Sequence, residues 1–112
     1  MGMLPAGFEE LEQFVPAWDL PTSHERWIRR SATPYDEIER FYAAMSARME
    51  DATVHVERYP LHDMPPDAAC LFRLLLSLMQ ASIAVELHHA SRVPFSPWPH
   101  KLRIDAGIQP FG

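Results

Sequence analysis

Glu86 and His89 sit three residues apart, the Glu-x-x-His spacing that could do metal chemistry. Residues three apart on an α-helix are neighbours, and such a carboxylate and imidazole form half of the di-iron site of ferritin-like bundles. No second Glu-x-x-His occurs, so a second copy of the chain would have to complete the ligand set. Glu39, Glu50 or Glu57 would then bridge iron, manganese or zinc. Without metal, Glu86 and His89 with Tyr42, Met45, Met49 and Met79 could line a small-ligand pocket between helices. Two residues beyond Ala84 is about 200° around a helix, which aims Glu86 at the packed side. A carboxylate there needs a partner, expected to be Arg48, His55, His89 or a capping backbone group. His88 is expected on the exposed side as a surface imidazole.

Other chemistry is incomplete. Asp51 and His55 share a helical face and could orient a general base, but no nucleophile accompanies them. Cys70 opens an apolar run, where a structural thiol fits better than a reactive one. Four glycines supply no dinucleotide fingerprint and no phosphate loop. Arg26, Arg29 and Arg30 around Trp27 could contact phosphate. Ten basic against fifteen acidic residues give a formal charge of −5, which opposes nucleic acid and favours a solvated helix face for this cluster.

The elements that must position these residues are helices. Eleven prolines fall outside the stretches 35–59 and 67–93 and so punctuate two long helices. The first is expected over 34–59, with Thr33 as its cap and Pro34 in its first turn. Ile38, Tyr42, Met45, Met49, Ala52, Val56 and Tyr59 recur at steps of four and three, the spacing of a packed seam. A short proline-rich link then makes the second helix antiparallel to the first. Along that second helix Arg73, Ser77, Gln80 and Ala84 form a narrow stripe read as wet, on an otherwise apolar cylinder that should be central. Shorter helices are expected over 8–15 and 22–31, the latter opened by the capping box Thr22-Ser23-His24-Glu25. No strand pattern or internal repeat occurs.

At 112 residues, 47% apolar, the chain is one domain's worth. The run Leu71 to Leu87 is interrupted by Arg73, Gln80 and Glu86 and falls short of the roughly 20 apolar residues that cross a bilayer. No membrane span and no secretory leader are expected, which makes the cytosol the default location. The fold expected is all-α: a small helical bundle over 1–93 dominated by a long antiparallel hairpin, followed by an extended proline-rich tail over 94–112. Phe95, Trp98, Leu102, Ile104, Ile108 and Phe111 in that tail follow neither helical nor strand period, and so many apolar side chains need a surface to bury against. Phe95, Trp98, Leu102, Ile104 and Phe111 are accordingly the candidate partner-binding residues.

Phe41-Tyr42-Ala43-Ala44-Met45, the stretch Glu57 to Pro65, Leu71-Phe72-Arg73-Leu74-Leu75-Leu76-Ser77-Leu78 and Ala84-Val85-Glu86-Leu87 resemble small, largely uncharacterised all-helical bacterial proteins associated with the catabolism of aromatic or steroid compounds. The likeness covers about residues 18–87 and rests on packing and turn residues. It implies an accessory or small-subunit role beside a larger catabolic enzyme and carries over no catalytic residue. Together these readings favour a non-catalytic helical accessory or interaction protein that binds a protein partner or its own copies. The rival is a metal-binding or small-ligand-binding helical protein.

Overall fold

A computed structural model describes residues 2–90 and Phe111. Among the described residues all regular structure is helical, and the expected all-α class holds. The first region is tighter than a plain helix: a 3-10 helix, Glu9–Phe14, runs into a single α turn, α1 (Val15–Trp18). Pro16 sits in the first turn of α1, where its missing N–H has no helical partner to lose. In α2 (Ser23–Ala32) the Thr22 side chain accepts from the Glu25 N–H at 3.1 Å, as the capping box requires.

α3 (Tyr35–Val56) differs from expectation at both ends. Pro34 is its N-cap residue, and no side chain caps the helix. Thr33 faces the other way, its hydroxyl donating to the Arg29 carbonyl at 2.5 Å. Asp36 and Glu37 in the first turn still suit the positive end of the helix dipole. The helix stops at Val56 and the turn Glu57 to Tyr59 follows, since Pro60 can continue no helix. A 3-10 turn, Leu61–Asp63, leads to α4 (Pro66–Ser82), opened by Pro66. Residues Ile83–His88 extend α4 as a wider π-helical turn. His89, at φ 55° and ψ 29°, ends the helix, and the Ala90 N–H donates to the Ala84 carbonyl at 3.2 Å.

α4 is the central helix, packed on α1, α2 and α3, with its largest interface against α3. The core joins Leu11, Ile38, Met45, Leu71 and Leu74 to an aromatic cluster. Trp18 stacks on Phe41 at 4.5 Å between ring centres, and Phe14 meets Phe41 edge-on at 5.4 Å. Phe41 is fully buried although it lies off the expected seam, while Met49 on that seam is 50% exposed. Seven residues of steps four and three drift around a straight helix, so the seam's ends cannot all face one neighbour.

Two expectations about α4 are corrected. The stripe read as wet is interior: Ser77 and Ala84 are fully buried and Arg73 is half-buried, because α1 and α2 cover this side. Counted from Pro66 to His88, moreover, the helix is 23 residues and is long and apolar enough to cross a membrane. Half of its most apolar window is buried inside the protein, the position of a core helix.

Candidate functional site

α4 presents two chemically distinct sides. Toward α1 and α2 lies a seam of buried polar groups. Asp19, in the link after α1, takes the Arg73 guanidinium through Nε, with Nη2 at 3.4 Å from the second oxygen. That carboxylate also accepts from the Cys70 thiol at 3.4 Å. Burial, and then Asp19, push the Cys70 thiol up to about 12, so it is a structural thiol and a poor nucleophile. Ser77 donates to the Trp18 carbonyl at 2.6 Å, joining α4 to the last residue of α1. Farther along the seam, Arg30 of α2 meets His88 of the π-turn, Nη1 to Nδ1 3.4 Å. Burial and the neighbouring guanidinium hold His88 below the usual imidazole range.

The opposite side is apolar and open. Met79 is 65% and Leu87 72% exposed, with Ile83 between them along the helix and Met49 and Val54 exposed on α3. Between α3 and α4 runs a groove of about 370 Å³ lined by Met49, Val56, Phe72, Leu75, Leu76 and Met79. Thr53, Glu57 and Ser82 lend it polar edges.

The metal candidates do not converge. Glu86 is exposed on the α3 side, where the Tyr42 hydroxyl donates to its Oε2 at 2.5 Å. That bond raises the Tyr42 pKa. The expected inward carboxylate, with a partner among Arg48, His55 and His89, is therefore replaced by an outward one held by a tyrosine. His89 is exposed beyond the helix, and the three-residue spacing makes neighbours only in α geometry, which the π-turn abandons. Glu39, Glu50 and Glu57 are exposed on α3. Among the described residues no group of three or more His, Cys, Asp and Glu side chains is placed to hold a metal ion.

Asp51 and His55 are also separated: Asp51 accepts from Arg48 at 3.3 Å, and the His55 ring lies 5.8 Å edge-on to Phe8. Of the arginine cluster read as a solvated face, Arg26 and Arg30 are buried and only Arg29 is exposed. Phe95, Trp98, Leu102 and Ile104 lie outside the described residues. Phe111 is buried, its ring 4.9 Å edge-on to Phe72 and its carbonyl held by Arg26. The chain thus returns to its own bundle at Phe111.

Sequence reading missed Asp19, which carries no periodic signal in the link between α1 and α2, and it placed Arg73 in water. A buried partner seventeen residues or more away leaves no trace in local spacing. No family model, no curated protein and no solved structure matches the chain.

Proposed function

We propose that this chain is a non-catalytic helical interaction protein whose binding surface is the open face of α3 and α4. The observation that carries this reading is the exposure of Met79, Leu87 and Met49 around the groove between the two helices. A helix buries its apolar stripe against another layer, and α1 and α2 supply that layer on one side of α4 only. The pair reads as an antiparallel hairpin, since Tyr42 early in α3 meets Glu86 late in the chain while Val56 shares a groove with Phe72. Unbranched methionines at both rims suit a surface that adapts to a partner.

The occupant we assign is a second copy of the chain. Two-fold pairing sets the same apolar face against itself and completes a four-helix bundle of α3, α4 and their mates. Sedimentation velocity tests this: the parent should run as a dimer, and Leu87→Glu with Met79→Glu should run as a monomer of unchanged helical content. A parent that stays monomeric at concentrations up to about 100 µM, well above the micromolar range of ordinary weak association, refutes self-pairing. If that monomer forms a defined complex with a larger enzyme, and the double variant does not, the same face serves an accessory subunit.

A further inference from the structure

Arg26 and Arg30 lie one turn apart on the inner face of α2, 3% and 5% exposed, with no carboxylate on either. The ion pairs among the described residues are Arg48 with Glu10 and Asp51, and Arg73 with Asp19. A guanidinium keeps its proton in a protein, so its buried charge must be met by dipoles or by an anion. Arg26 is met by dipoles: the carbonyls of Leu20, at 2.8 Å, and Phe111, and the Ser23 hydroxyl at 3.3 Å. Arg30 is not. Its one hydrogen-bonding neighbour among the described residues is the His88 ring, and its Nε is buried with no acceptor. The last carbonyls of α2 lower the potential around Arg30, which lies in the final turn, but they supply no acceptor to Nε. Burial shifts Arg30 downward, and burial with the Arg30 charge does the same to His88, so both groups lack negative charge nearby.

With Nη1 turned to His88, the Nε–H edge of Arg30 is left, the edge on which a guanidinium takes two oxygens of a carboxylate or phosphate in parallel. His88 reaches this place on a π-turn, a geometry concentrated at functional sites, and is itself partly exposed, which opens one border of the place to solvent. We propose that Arg30 and His88, at the junction of α2 with the π-turn, form a binding site for a small oxyanion, the carboxylate or phosphate group of a ligand. The site lies on the covered side of α4 and does not depend on the interaction face.

Thermal unfolding at pH 7 and constant ionic strength, with chloride replaced stepwise by inorganic phosphate or by acetate, tests it. The parent's midpoint should rise saturably with at least one of the two, by about 5 °C for an anion held well above its Kd. Arg30→Met removes the buried charge while keeping its volume, and should unfold no earlier than the parent in chloride and respond to neither anion. His88→Gln keeps Arg30 and a polar neighbour, and should respond with a Kd weakened about tenfold. Equal responses in the parent and Arg30→Met would reduce the effect to general salt action and overturn the site. So would a parent indifferent to both anions whose Asp105→Asn variant becomes responsive, because the counter-charge would then be the chain's own.

Discussion

Asp19 connects more of the molecule than any other single side chain: it receives Arg73 and Cys70 from α4 while sitting in the link that ends α1. Removing it strands a half-buried guanidinium, so Asp19→Ala should lower unfolding free energy by about 3–5 kcal/mol in urea titrations. Arg73→Met with Asp19→Leu should recover much of that loss, since an apolar pair leaves no charge unmet. Cys70 offers a test in pH. Its folded pKa, near 12, lies above the unfolded value of about 8.5, so the folded state favours the thiol. Its contribution is whole below the unfolded value and is lost as pH climbs from there toward 12. Stability of the parent should therefore decline over that range more steeply than that of Cys70→Ala. Residue chemistry was the least legible level of the sequence. Glu86 was placed by counting degrees along an ideal helix, and a single π-turn upstream of His89 invalidates that count.

Helices were legible where caps and prolines mark them. Thr22 caps α2, Pro66 opens α4 and Pro60 closes the region of α3, each by a local steric or hydrogen-bonding rule. Thr33 was misread because a hydroxyl between two helices can serve either, and here it bonds back to Arg29. Which side of α4 faces inward was misread for a different reason. Polarity marked Arg73 and Ser77 as outward, yet both have buried partners, Asp19 and the Trp18 carbonyl, contributed by distant chain. The apolar side left over was then open. Leu78 and Leu75 separate these surfaces experimentally. Leu78→Ala, emptying a 4% exposed core position, should cost about 2–5 kcal/mol. Leu75→Ala should cost less than half as much in the isolated chain, because Leu75 lines the open groove. Equal costs at the two positions would mean that the groove is closed in solution.

At the scale of the molecule, the chain builds one covered and one open side around a single apolar helix. The covered side is secured at widely separated points of sequence: Leu4 and Phe8 join the core from the N-terminal region, and Phe111 joins it from the far end. The carboxylate of Glu12 holds the N–H groups of Met3 and Leu4 at 3.0 and 2.8 Å, which fixes the N-terminal approach to that core. Phe111→Ala should cost about 3 kcal/mol by removing a buried ring from Phe72, measured as a shift in the urea midpoint at unchanged slope. An unaltered midpoint would show that this end of the chain contributes nothing to the bundle.

The π-turn at Ile83–His88 makes chain length itself an informative variable. A π-turn holds one residue more than the α-helix it interrupts. Deleting one position between Ile83 and Leu87 would restore a plain helix and rotate everything after it by about 100°. His88 would swing off Arg30, and the chain would leave the bundle in a different direction on its way to Phe111. In any set of relatives, a one-residue gap at this place would therefore divide chains that keep the α2 contact from chains that have abandoned it, whatever the residues on either side.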